Sequence, residues 1–304
     1  MKALVTGGAG FIGSHVVDAL LKAGWEVVVV DNMSTGSAAN LPDDVQSFEG
    51  DAGDADLLAR IMPGCHAVFH LAAVSSVQDS IDRPLAVHNA NLTATLSLLE
   101  AAVVHRVPRF VFSSSAAVYG DTGGQPARED MTPSPLSHYA VQKLACEHYC
   151  GVYRKLHGLE TVCLRYFNVF GSRQRADSPY SGVIAKFVDA AKVGRPVVIF
   201  GDGGQTRDFC HVSDVVAANL LAASASAGSL APGIFNIGSG ASVSVNQLAA
   251  TIRDILGHTG APEYIEPRAG EIHFSQADIS LASAHIGYFP EVAFEEALRS
   301  LISV

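Results

Sequence analysis

The segment Thr6-Gly7-Gly8-Ala9-Gly10-Phe11-Ile12-Gly13 constrains this chain most, because it joins an apolar β-branched run to an amphipathic helical pattern through four glycines. Glycine serves where a side chain would block a tight turn and the approach of a ligand backbone. The helix that follows offers unpaired N–H groups and a positive dipole end, which suit a pyrophosphate. Two spacings fit, GxGxxG from Gly8 and GxxGxxG from Gly7, and both remain open at this level. A second apolar run, Val27 to Val30, ends on Asp31, where a carboxylate can take the two adenosine ribose hydroxyls. That charge repels a 2'-phosphate, so NAD is expected over NADP. Asn32 and Asp51, each just past an expected strand end, are further candidate adenosine contacts.

The first half continues the same alternation. Strands are expected at 2–6, 26–31, 45–49, 67–71, 109–114 and 161–166, and helices at 11–23, 54–62, 85–105 and 137–157, a sequence of βαβ units. Strands apolar throughout fit burial on both faces of a doubly wound parallel sheet. Beyond Gly171 the chain becomes richer in Gly, Pro and Ser, with helices expected at 183–192, 212–223, 245–256 and 295–302. This reads as an α/β chain in two parts, a nucleotide-binding domain over 1–170 and a smaller α/β substrate lobe over 171–304, some of whose segments return to the first. The 304 residues leave little room for more.

Acidic residues outnumber basic ones 30 to 20, for a net charge of -10, and the basic residues are scattered. Binding to nucleic acid is not expected. Mean hydropathy is +0.25, yet no apolar run approaches the roughly 20 residues of a membrane span. With no signal-peptide pattern at the N-terminus, a cytoplasmic location is expected. The five cysteines form no CxxC pair and the 12 histidines no HExxH, so free thiols and no metal are expected.

Tyr139 and Lys143 sit one helical turn apart on one face. A cation beside a phenol lowers its pKa, and a phenol so tuned can exchange a proton with a sugar hydroxyl as hydride moves. Ser113-Ser114-Ser115, at the end of the fifth expected strand, supplies a hydroxyl to hold the reacting oxygen.

These features, with Phe112 to Gly120, His70-Leu71-Ala72-Ala73, Asn91, Arg165-Tyr166-Phe167-Asn168 and Gly201 to Phe209, resemble the extended short-chain dehydrogenase/reductase family, and within it the UDP-glucose 4-epimerase type. The resemblance implies a Rossmann-type sheet and NAD held as a bound prosthetic group. It implies cofactor contacts at Gly7, Gly10, Phe11, Ile12, Gly13, Asp31, Asn32, Asp51, Ala52, Leu71, Ala72, Ala73, Asn91, Ser113, Tyr139, Lys143 and Tyr166. Tyr139 is then the base at the sugar C4 hydroxyl, Ser115 bridges to that hydroxyl, and Lys143 holds the cofactor ribose. Asn168, Arg207 and Arg268 are implied at the substrate diphosphate, Glu271 at the uridine ribose and Phe200 at the uracil. From its residues alone, Arg207 could instead partner Asp208 or Asp214. Arg173 is a further phosphate candidate.

Three departures bear on chemistry. Ala116 and Ala117 stand where dehydratases and decarboxylases of the family carry extra acid and base groups, which points to epimerisation. Ser275 stands where a tyrosine restricts related enzymes to glucose and galactose, so N-acetylated UDP-sugars are expected to fit; a one-residue slip in alignment would put Phe274 there instead. Ser75 replaces a lysine near the cofactor, which implies looser retention of NAD. A UDP-glucuronate 4-epimerase is the alternative within the family, and a non-catalytic nucleotide-sugar sensor the alternative outside enzymes. The resemblance further implies a homodimer formed through the helices at 85–105 and 137–157.

Overall fold

The computed structural model describes residues 1–175, 182–257, 261–267 and 272–303. Lys2–Thr6 forms β1, and Phe11–Lys22 forms α1, entered at Gly10 and buried along Val16, Val17 and Leu20. Then follow β2 (Glu26–Asp31), β3 (Gln46–Glu49), α2 (Ala55–Ile61) and β4 (Ala67–His70). The α2 start is set by Asp54, whose carboxylate accepts the Asp56 and Leu57 N–H groups.

The expected helix at 85–105 forms over residues 84–104, with a π-helical turn inside it. α3 (Val77–Asp82) and α4 (Pro84–His88) come first, a π-helical turn covers Asn89–Thr93, and α5 (Ala94–Val104) completes it. β5 (Arg109–Ser115) is followed by the long α6 (His138–His157), capped by Ser137 at one end and closed by the left-handed Gly158 at the other. β6 (Glu160–Tyr166) and β7 (Asn168–Phe170) lead into the second half, built from α7 (Val183–Lys192), β8 (Val198–Phe200), β9 (Thr206–Arg207), β10 (Phe209–His211), α8 (Val212–Ser224), β11 (Ile234–Ile237), β12 (Val243–Ser244), α9 (Val245–Leu256), β13 (Glu263–Ile265), α10 (Ser280–Ile286) and α11 (Phe294–Ser303).

Seven parallel strands form the central sheet in the order β11-β6-β5-β4-β1-β2-β3. The order reverses between β1 and β4, the point at which such sheets open a crevice beyond their strand ends. Two apolar cores sandwich the sheet. One joins α1, α8 and α10 through residues such as Val17, Ala218 and Ile286; the other joins α2, α5 and α6 through Leu58, Leu98 and Cys150. A third core, around Phe187, Phe209, Leu248 and Leu298, belongs to the second half. β11 and α8 show how that half returns to the first: the former adds the seventh strand beside β6, and the latter lies against α1.

Candidate active site

The sheet's C-terminal edge carries two clefts that meet. The narrower, of about 250 Å³, runs from the glycine turn past Asp31 and Asp51 to Tyr139, Lys143 and Tyr166. The wider, of about 580 Å³, lies between β5 and the second half. Ser75 and Tyr166 line both.

The glycine turn resolves the ambiguity of spacing. Gly7, Gly10 and Gly13 line the narrow cleft, whereas Gly8 does not. Gly7 has φ of 71°, and a Cβ there would lie 2.6 Å from the Ala72 nitrogen; one on Gly13 would lie 2.0 Å from the Gly7 carbonyl. A Cβ on Gly8 would press on Val29, toward the sheet. The working pattern is therefore GxxGxxG from Gly7. Asp31 is steered from two sides: Oδ2 accepts the Ala9 N–H at 3.0 Å and Oδ1 the Met33 N–H at 2.9 Å. Phe11, Ile12, Asn32, Asp51, Ala52, Leu71, Ala72, Ala73 and Ser113 also line this cleft. Glycines that admit a diphosphate at a helix N-terminus, and a carboxylate placed for a ribose, fit a dinucleotide.

Asn91 reaches this cleft only indirectly. It is buried in the π-helical turn and does not line the cavity. Its amide accepts the Val74 N–H at 2.8 Å and donates to the Val74 carbonyl at 3.0 Å and to Gln142 Oε1 at 2.9 Å. The side chain clasps the wall instead of presenting a polar group to the cofactor.

At the junction of the clefts, α6 brings Tyr139 and Lys143 beside the end of β5. Lys143 Nζ donates to the Ser113 carbonyl at 2.7 Å and lies 5.8 Å from the centre of the Tyr139 ring. Burial pulls Lys143 down to about 8, opposed by Cys146 and Glu147. Burial pushes the Tyr139 phenol up to about 12, and the nearby Ser115 hydroxyl acts in the opposite direction. The expectation that Lys143 lowers the pKa of this phenol meets a larger, opposing effect of burial. The ammonium is directed at the Ser113 carbonyl.

The wide cleft is lined by Ser115, Ala116, Ala117, Asn168, Arg207, Phe274 and Ser275 among others. Its described lining holds two cations, Arg207 and Lys186, and no carboxylate or imidazole. Sequence reasoning missed Lys186, whose position in α7 depends on how the second half folds over the sheet. Arg207 donates to the carbonyls of Thr206 and Ile272, each at 2.8 Å. Asp208, a partner considered for it, accepts from Ser239, Gly240 and Ala277, while Asp214 accepts from the Glu291 N–H. Phe200 ends β8 and does not join the described lining. Arg173 pairs with Asp18 of α1 at 2.8 Å and lines neither cleft. Arg268 and Glu271 lie outside the described residues.

Residues 3–238 match the NAD dependent epimerase/dehydratase family. The chain is 39% identical over 311 residues to the UDP-glucose 4-epimerase of Mycolicibacterium smegmatis, covering 99% of this chain and 97% of the relative. Its structure is similar to that of a UDP-glucose 4-epimerase from Thermotoga maritima solved with UDP-glucose, with a TM-score of 0.95, 39% identity and 100% and 98% of the two chains covered. It is similar also to a UDP-N-acetylglucosamine 4-epimerase from Methanobrevibacter ruminantium solved with UDP-N-acetylmuramic acid, with a TM-score of 0.94, 40% identity and 99% and 97% covered. Both the crevice at the sheet's reversal point and these likenesses over nearly the whole chain lead to one assignment: this protein belongs to the NAD dependent epimerase/dehydratase family.

Proposed function

We propose that the protein is an NAD-dependent 4-epimerase of UDP-hexoses, acting on UDP-glucose and UDP-galactose and also on their N-acetylated counterparts. One observation carries the reading: Ser115 and Tyr139 meet where the nucleotide-shaped cleft opens into a wide one whose described lining holds cations and no carboxylate. A hydroxyl-bearing carbon of an anionic sugar nucleotide suits that junction, and no described acid is at hand for elimination.

Gly7, Gly10, Gly13 and Asp31 would hold NAD, which would supply a hydride acceptor and donor and the positive charge of an oxidised nicotinamide ring. Tyr139, as phenolate, takes the proton of the C4 hydroxyl and gives it back after the 4-keto sugar has turned over. Ser115 holds that oxygen, and Lys143 supplies the cation beside the base. Ala116 and Ala117 present only methyl groups to the turning ring, and the 580 Å³ cleft gives it room. Arg207, Lys186 and Asn168 are the described candidates to hold the diphosphate while it turns. Ser275 and Phe274 both line this cleft, so the residue beside the sugar's C2 substituent is small if it is Ser275 and large if it is Phe274.

The testing experiment incubates the purified protein separately with UDP-glucose, UDP-GlcNAc and UDP-glucuronate and identifies the C4 epimers formed. Epimers of the first two at comparable rates are expected. Turnover of UDP-glucose without UDP-GlcNAc would remove the N-acetyl reading, and turnover of UDP-glucuronate alone would replace the substrate. Tyr139→Phe serves as the control, expected to lose at least about a hundredfold in kcat; full activity in it would refute the mechanism. In the same reading the protein is a homodimer, residues 1–170 carry the cofactor and 171–304 the substrate lobe. Its five cysteines, all buried and free, suit a reducing cytoplasm.

A further inference from the structure

Glu147 follows Tyr139 and Lys143 at the same helical spacing, so the three form one inward line on α6. It is 4% exposed, and a carboxylate so buried needs compensation. Three bonds provide it. Ser114 Oγ donates to Oε1 at 2.6 Å, Arg165 Nε to the same oxygen at 2.8 Å and Arg165 Nη2 to Oε2 at 2.7 Å. Arg165, itself 2% exposed, comes from β6 and stacks on the Tyr119 ring at 4.6 Å.

The partners are informative. Each of three successive serines at the end of β5 stands against a different residue of that line. The Ser113 carbonyl takes Lys143 and the Ser114 hydroxyl reaches Glu147, both by hydrogen bonds, while the Ser115 hydroxyl, which accepts the Ala117 N–H at 3.2 Å, stands beside Tyr139. Slippage of α6 along β5 would break both hydrogen bonds and part Ser115 from Tyr139. A buried ion pair is seldom the most stable filling for a core, since desolvation offsets most of its attraction. Its use here lies in where it fixes the helix.

We propose that Glu147 is a positioning residue for the epimerase reaction, locking α6 in register with Ser113–Ser115 and giving the Lys143 ammonium a counter-charge. The proposal rests on the assignment of Tyr139 and Lys143 to the chemistry. Groups facing Lys143 are Tyr139, Cys146, Glu147 and Cys150 on its own helix, Cys163 on β6 and His70 on β4. Of these, Glu147 is the one carboxylate. Its removal leaves burial acting against the ammonium.

Glu147→Gln keeps the shape and loses the charge; Ser114→Ala keeps the ion pair and loses one bond. For Glu147→Gln, KM for UDP-glucose is expected to stay within about twofold while kcat falls roughly tenfold, and the alkaline fall of kcat moves to lower pH. For Ser114→Ala that alkaline fall stays in place and kcat drops less. Glu147→Gln that is folded, with the parent's kcat and pH profile, would overturn the proposal. If the lone change prevents folding, Glu147→Gln with Arg165→Met leaves no unpaired buried charge and is judged on the same profile. Tyr139→Phe separates the two readings. Activity in that variant defeats the catalytic assignment and the positioning role with it, whereas an inactive Tyr139→Phe beside a normal Glu147→Gln defeats the positioning role alone.

Discussion

Ser113, Ser114 and Ser115 carry the same hydroxyl to three different ends. The first donates to the His70 carbonyl at 2.8 Å, the second to Glu147, and the third stands at the mouth of the wide cleft beside Tyr139. His70 belongs to the same packed layer. One ring nitrogen lies 2.7 Å from Thr6 Oγ1 and the other 2.8 Å from Thr95 Oγ1. Burial, with the Lys143 charge adding to it, lowers its pKa to about 3. The unfolded chain takes up a proton near the ordinary histidine value, so the unfolded state binds more protons below it. The stability this imidazole contributes is therefore present above about pH 6.5 and lost as pH falls toward 3. Between pH 7.5 and 5 the protein should lose about 2 kcal/mol more than His70→Gln, which keeps a donor and an acceptor without titrating. Denaturant unfolding at the two pH values measures this. Equal losses in the two proteins would show that His70 is not held neutral.

At the scale of elements, the π-helical turn between α4 and α5 has a use. The π-helical turn at Asn89–Thr93 carries Asn91 inward, and from there its amide satisfies both backbone groups of Val74, in the segment that leads to the cleft junction at Ser75. Gln142, next to Lys143, completes the clasp, so the wall of the narrow cleft and α6 share one buried polar link. Asn91→Ala leaves the Val74 N–H and carbonyl without these partners, at about 1–3 kcal/mol for each buried group. A lower melting temperature and less NAD retained through purification are the expected results. A variant that melts lower yet keeps its NAD would confine Asn91 to stability. None of this was legible in the sequence, because the residues from 85 to 105 read as a continuous helix and the π turn leaves no change in composition. The strands were legible for the opposite reason. Val27 to Val30 is apolar at every position, which a parallel strand covered on both faces requires. Tyr139 and Lys143 showed themselves through local helical spacing, whereas Glu147 depends on Ser114 and Arg165, brought to it from neighbouring strands by tertiary folding. The seventh strand, Ile234–Ile237, is short and follows a loop, and only its pairing with β6 identifies it.

For the molecule as a whole, the net charge of -10 raises the question of how an acidic protein receives an acidic ligand. The wide cleft answers locally, with Arg207 and Lys186 inside a described lining free of carboxylates. The same charge bears on self-association. Val141, Tyr149, Val152 and Leu156 make an exposed apolar stripe along α6, and Leu85 and Val104 stand exposed on the neighbouring helices. None of the six lines either cleft. A patch of this kind on a water-facing helix pair is the face a second copy would cover. Two copies each carrying -10 repel at long range, while apolar burial attracts only at contact. Salt screens the former over roughly 8–10 Å and leaves the latter intact, so the dimer should tighten as ionic strength rises. Light scattering at low and moderate salt should give twice the 31.8 kDa chain mass, with the dimer persisting to lower protein concentration in more salt. Val152→Asp together with Leu156→Asp should yield a monomer that keeps its epimerase activity per chain, since these two residues lie toward the end of α6 away from Tyr139 and line neither cleft. A dimer that survives both changes, or one that salt dissociates, would place the interface on another, more polar surface.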